Sequence, residues 1–251
     1  MEAWYHYALL IVVGFVVGFI NTIEGGASII SLPVLIFLGL PPAVANGTNR
    51  VAIVVQTGMA VLGFKSKGVS TFPFNLYLGI SALLGSLLGA YWAVDIKGET
   101  FNRILAIIMV LVGLLIAFKP KISLEALSER ISGKYLWIGM GSFFFIGIYG
   151  GFINAGVGFI ILLFLHYVNH LSLLKANATK VAVVLIYTLA ALAVFIFHDK
   201  VIWKVGLVLA IGNGLGAWVS SRVSVNRGDG FVKRFLIIMV LIMAVKLWFF
   251  N

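Results

Sequence analysis

The sequence predicts an all-α polytopic membrane protein of two inverted five-segment repeats, with 8–10 membrane segments and a glycine-broken hairpin opening each repeat. Three observations predict it. Of 251 residues, 62% are hydrophobic and 10% charged, where a soluble domain carries about 25% charged residues. Apolar stretches close to the ~20 residues that cross a bilayer recur along the whole chain. Short motifs also recur in the same order in both halves, the mark of an internal duplication.

The apolar segments fall at 7–23, 27–40, 43–64, 73–94 and 101–118, then at 136–153, 157–171, 176–197, 201–221 and 231–250. The longest polar stretch, from Lys119 to Lys134, contains Pro120 and the charged run Glu125 to Arg130. It divides the chain into a first repeat (1–118), a cytoplasmic linker (119–134) and a second repeat (135–251). Phe19-Ile20-Asn21 recurs as Phe152-Ile153-Asn154, and Asn46-Gly47-Thr48 as Asn177-Ala178-Thr179, with Thr57 and Thr188 at the same later spacing. Gly85 and Gly89 recur as Gly212 and Gly216, and Phe101 with Ile107 to Leu111 as Phe231 with Ile237 to Leu241.

Five crossings per unit, or three if the opening pair is re-entrant, is an odd number, so the second unit lies upside down. Loop charge gives an independent reading. With the N-terminus outside, Lys65, Lys67, Lys119, Lys121, Arg130, Lys134, Lys175, Arg222, Arg227, Lys233 and Arg234 are cytoplasmic, against Lys97, Arg103, Lys200 and Lys204 outside. That bias places both termini outside a cytoplasmic (inner) cell membrane. The first apolar run has no basic n-region and no small-residue cleavage site, so it reads as a retained helix.

The net charge of +10 resides in these loops and indicates topology, so no nucleic-acid partner is expected. The chain has no cysteine, which excludes disulfides and thiolate chemistry. No nucleophile–base pair stands out, and His166 and His170 without H-E-x-x-H make a poor metal site. Neither an enzyme nor a cofactor is expected.

Chemistry is expected at the breaks. The opening segments of each half read as short and are separated by Glu24-Gly25-Gly26-Ala27-Ser28 and by Ala155-Gly156-Val157-Gly158. Paired glycine-interrupted segments point to a transporter site, because half-helix N-termini present N–H groups to an anion; glycine also serves plain helix packing. Asn46, Thr48, Asn49 and Arg50 open the third segment, and Asn177, Thr179 and Lys180 open its counterpart. Asn and Thr there can cap the helix. A cation near a positive helix end needs an anion or a carboxylate to offset it, which makes Arg50 and Lys180 the leading ligands unless they snorkel to headgroups.

Glu24 is the acidic residue inside an apolar region, a group that costs about 2.5–3.5 kcal/mol on insertion scales. It is a candidate for proton or ion coupling, for pairing with Arg50, or for a headgroup-level turn. Ser28, Gln56 and Tyr187 can add neutral hydrogen bonds, although nothing in the sequence brings them to the site. Gly85/Gly89 and Gly212/Gly216 read as helix-packing faces.

The run from Phe19 through Glu24, Gly25, Gly26 and Ser28 to Pro33, followed by Gly39-Leu40-Pro41-Pro42 and Thr48-Asn49-Arg50, resembles the sulfite exporter TauE/SafE family. A degenerate second copy runs from 151 to 180. The glycine cluster is shorter than the family's, and Pro33 has no counterpart in the second half. The resemblance implies a bilayer-embedded secondary transporter of sulfite or another small sulfur oxyanion or sulfonate, with a homodimer as one expected assembly. An anion channel and a non-transporting membrane subunit are the alternatives. The predicted substrate ligands are Gly25, Gly26, Ser28, Asn46, Thr48, Asn49, Arg50, Gly156, Gly158, Asn177, Thr179 and Lys180, with Glu24 for coupling.

Overall fold

The computed structural model describes residues 4–23, 28–117 and 128–249. Glu24, Gly25 and Gly26 lie outside the described residues, as does the side chain of Ser28. What is described is helical: α1 (Trp4–Ile23), α2 (Ser28–Phe37), α3 (Pro42–Lys65), α4 (Phe74–Val94), α5 (Gly98–Ala117), α6 (Lys134–Phe152), α7 (Val157–Tyr167), α8 (Leu173–Phe197) and α9 (Trp203–Phe249). Among the described residues, α1, α4, α6 and α8 are long and apolar enough to cross a membrane. The 24 residues of α3 also suffice in length, but Asn46, Thr48, Asn49, Arg50 and Gln56 make it more polar, and all five are buried.

Three boundaries depart from the sequence reading. The opening pair of each half is not two short segments: α1 and α6 have 20 and 19 residues, while α2 and α7 have 10 and 11. At 1.5 Å per residue, only the second helix of each pair is limited to about half the ~30 Å hydrocarbon core. The polar-tipped aromatics at 4–7 extend α1 beyond the strongly apolar window. Positive φ at Gly39 (+93°) and His170 (+54°) ends the chain's helical course soon after α2 and α7, a backbone region that glycine enters without a Cβ penalty. The segments expected at 201–221 and 231–250 are one continuous helix, α9. The charged stretch between them reads as a loop by hydropathy, yet it contains no proline, and glycine within a helix costs only about 1 kcal/mol.

The break in the second half falls at 153–156, where Asn154 (φ +52°) and Gly156 (φ +70°) are left-handed and Gly156 precedes the first residue of α7. Gly158, expected in the break, is buried inside the first turn of α7.

Packing cuts across the sequence halves. The most extensive contacts are α1 on α9, α4 on α6, α3 on α9 and α4 on α8. One bundle thus contains α1, α3 and α9, and the other α4, α6 and α8, with α3 against α8 as the main seam. Glycines permit the closest approaches. A Cβ on Gly89 would sit 1.9 Å from the Ile148 carbonyl oxygen, and one on Gly216 2.1 Å from that of Phe15. Small residues let backbones meet in this way where lipid tails offer no hydrophobic drive between helices. Along the seam the two helices run in opposite directions: Gly47 near the start of α3 meets Phe195 in the last turn of α8 and Lys200 just beyond it. Phe64 at the other end of α3 shares a cluster with Ala178 and Val181.

Candidate functional site

Buried polar groups gather at the seam. Asn46, Thr48, Asn49, Arg50, Asn177, Thr179 and Lys180 are all buried, but none caps a helix, contrary to the sequence reading. Pro41 precedes α3, and the Ser172 hydroxyl accepts from the Lys175 amide at the start of α8. The cations therefore lie about two turns inside their helices, away from the positive ends at which they were expected.

What they meet is the negative end of a helix in the opposite bundle. The Arg50 guanidinium donates to the carbonyl of Gly150 (3.2 Å), to that of Gly151, and to Asn46 Oδ1 (3.4 Å). It lies 4.8 Å from the Phe195 ring centroid. Asn46 Nδ2 donates to the Phe152 carbonyl at 2.7 Å. These carbonyls belong to the last turn of α6, where a helix presents unpaired acceptors and roughly half a negative charge. The Lys180 ammonium likewise donates to the carbonyls of Asn21 (3.2 Å) and Thr22 (3.1 Å) at the end of α1, and to Asn177 Oδ1 (2.7 Å). Each bundle is thus clamped to the other by one buried cation on a helix C-terminus.

The two cations differ in their access to empty space. A small cavity of mixed polar and apolar lining lies between the bundles, with Asn21, Gln56 and Thr57 on one side, Asn154, Gly158 and Lys180 on the other, and Val157, Val181 and Val184 completing it. Its volume, ≈ 20 Å³ measured at water centres, is about enough for a water molecule. Gln56 Oε1 accepts from Asn21 Nδ2 (3.4 Å) and Asn213 Nδ2 (3.2 Å), which holds the amide at the wall. Arg50 does not line this cavity.

Of the predicted ligands, the structure brings Gly158 and Lys180 to the cavity and groups Asn46 with Arg50 at the α6 end. Thr48 is elsewhere, its hydroxyl accepting from the Ile202 amide at 3.0 Å. Thr179 donates to the Lys175 carbonyl (2.8 Å) and pairs with Thr71 (2.7 Å). Asn49 faces inward with no partner for its Oδ1. Sequence reasoning missed Asn21, Asn154 and Thr57 as wall residues, although the recurrence of Asn21 as Asn154 and of Thr57 as Thr188 was a usable signal.

Arg50→Ala is expected to destabilise the fold. It removes the donor from two helix-terminal carbonyls, at about 1–3 kcal/mol for each acceptor left unsatisfied. Arg50→Lys, which keeps a charge but not the fork, should fall between Ala and the parent in thermal unfolding of the detergent-solubilised protein. An unchanged melting temperature for Arg50→Ala would deny the clamp any structural weight.

Comparison with known proteins adds an independent finding. A family model described as "Sulfite exporter TauE/SafE" matches residues 10–247. A probable membrane transporter protein of Haemophilus influenzae is 32% identical over 96% of this chain and 93% of its own length. Another from Sinorhizobium is 29% identical over 98% and 93%, and one from Escherichia coli 28% identical over 95% and 88%. No solved structure matches the chain.

Proposed function

The chain belongs to the sulfite exporter TauE/SafE family and is a membrane transporter, and from that premise we propose that it carries a small anion, sulfite or a related sulfur oxyanion or sulfonate, by alternating access. The observation that carries this reading is a small cavity between two helix bundles with amides and a buried lysine in its wall. An ionisable group at membrane depth marks a substrate path by default, and neutral amides around one cation suit an anion that has shed water. Val157 and Gly158 place the first turn of α7 at the same wall, so the positive end of that helix adds to the attraction.

Alternating access needs units that move as wholes and contacts between them that can be exchanged. The cross-bundle clamps at Arg50 and Lys180 suit that role, since both are made of hydrogen bonds rather than interdigitated side chains. The opposed directions of α3 and α8, which carry the matched Asn and Thr motifs, support an inverted relation between the repeats. Glu24 is the proposed coupling carboxylate on sequence grounds.

The test is a panel of sulfite, thiosulfate, sulfoacetate and sulfate, assayed for thermal stabilisation of purified protein and for flux in proteoliposomes. A bound cargo raises stability with its concentration, and a carrier shows saturable counterflow. Stabilisation by none of the panel would remove the cargo assignment, and large single-channel currents would replace the carrier with a channel. In the same vesicles Glu24→Gln should retain counterflow and lose proton-gradient-driven flux; gradient-driven flux that survives excludes Glu24 from coupling.

A further inference from the structure

The matched motifs of α3 and α8 put the cavity wall in register with a second set of residues. With Asn46 on Asn177, Thr48 on Thr179 and Thr57 on Thr188, the wall residues Lys180, Val181, Gln56 and Thr57 fall on Asn49, Arg50, Tyr187 and Thr188. All four counterparts are buried. Three of them hold polar atoms without a hydrogen-bond partner: Asn49 Oδ1, Arg50 Nε and Thr188 Oγ1. Buried polar atoms are nearly always paired, and leaving one unpaired costs about 1–3 kcal/mol; of these three, Asn49 Oδ1 can only accept, whereas Arg50 Nε and Thr188 Oγ1 can donate, so two anion donors stand unpaired at matched positions.

The exchange of Gln56 for Tyr187 separates the two places. Where the first half has a short amide at the cavity wall, the second has a phenol. Its hydroxyl donates to Asn154 Oδ1 at 2.5 Å, and Asn154 lines the open cavity. Its ring lies on Gly150, where even a Cβ would approach to 2.9 Å, and the Gly150 carbonyl is one of those that hold Arg50. The Tyr187 ring thus stands between the cavity wall and the Arg50 clamp.

We infer that Tyr187 closes a second small-anion subsite whose donors are Arg50 Nε and Thr188 Oγ1, the counterpart of the Lys180 cavity, and gates passage between the two. This rests on the reading of the protein as an anion carrier. In the state described here the Lys180 side is open to a water-sized occupant and the Arg50 side is shut. Rotation of the ring away from Gly150 breaks one hydrogen bond, that to Asn154, and opens a path by which an incoming oxyanion reaches the unpaired Arg50 Nε and Thr188 Oγ1.

Because the chain has no cysteine, single-cysteine variants report on one position at a time. Thr188→Cys and Thr57→Cys would be reconstituted and treated with a small anionic methanethiosulfonate reagent. With Tyr187 in place, Thr188→Cys should react at least about tenfold more slowly than Thr57→Cys, as expected of a site open only in a minor state of about 0.1–10%. Adding Tyr187→Gln should bring the two rates together, and methanesulfonate should then protect the cysteine at 188. Tyr187→Phe keeps the ring on Gly150 and loses only the bond to Asn154, so it should give an intermediate rate in a protein of near-parental melting temperature. Equal rates with Tyr187 present, or a position 188 that stays unreactive in both Tyr187 variants, would overturn the gate. Normal anion flux with such a flat pattern removes the gate alone, whereas the expected pattern without flux of any anion removes the cargo and leaves the gate.

Discussion

Lys180→Gln should lower saturable anion flux by about 10- to 100-fold, the equivalent of the roughly 1.5–3 kcal/mol assigned to a charged hydrogen bond. Lys180 is 2% exposed and lines the cavity between the bundles, and Asn21, Gln56, Thr57 and Asn154 beside it bring no net charge. A desolvated anion there would lose its counter-charge with the lysine. The glutamine can still donate to the Asn21 or Thr22 carbonyl at the end of α1, so insertion and melting temperature should change little. Initial rates of uptake into proteoliposomes, normalised to inserted protein, measure the effect. Undiminished flux in Lys180→Gln would take Lys180 out of the transport path.

The largest effect on folding is expected from Gly89→Leu. The new Cβ would lie 1.9 Å from the Ile148 carbonyl oxygen and 2.8 Å from the Phe152 amide nitrogen. Both are backbone atoms of α6 and cannot turn aside, so α4 and α6 would have to separate along one of the most extensive contacts in the molecule. Overpacking of a fitted site typically costs about 1–3 kcal/mol where side chains can yield, and here none can. The variant should give little or no monodisperse protein after extraction. Gly141→Leu is the matched control, since a Cβ at Gly141 meets nothing within 4 Å, and it should extract like the parent. Normal recovery of Gly89→Leu would show that the helices tolerate a wider spacing than their packing implies.

Much of the architecture was legible in the sequence because it is dictated locally. Hydropathy located α3, α4, α5 and α8 to within a few residues, and glycine pairs marked the faces on which helices meet. The sequence singled out Lys180 as a cation near the start of an apolar segment but left open whether it turned inward or snorkelled to the headgroups; the structure buries it. Its partners were not legible, because Lys180 and Thr22 lie 158 residues apart and no local pattern encodes which helix end faces which side chain. The same limit misled the reading of Asn46 and Asn177. Asparagine caps helices readily, yet Pro41 and Ser172 had already set the helix starts; the Asn46 amide binds across the seam to the Phe152 carbonyl, and the Asn177 amide accepts from Lys180 within its own helix. The fusion of two expected segments into α9 was hidden for a different reason: hydropathy senses charge, whereas helix continuity depends on backbone donors, and the stretch from Arg222 to Gly230 keeps all of them.

The crossed pairing of the bundles bears on how the chain is made. The principal packing partner of α1 is α9, which is synthesised after the seven helices that lie between them. Until then the glycine face of α1 at Gly14 and Gly18, which in the finished protein lies against Leu209 and Asn213, has to be shielded by lipid or by the insertion machinery. Early termination would leave that face permanently unmatched, so quality control that recognises an unpaired polar or small-residue helix face has a defined target in this protein. Two fragments cut in the polar stretch that begins at Lys119 and expressed together, by contrast, each bring what the other lacks and should assemble without the covalent link.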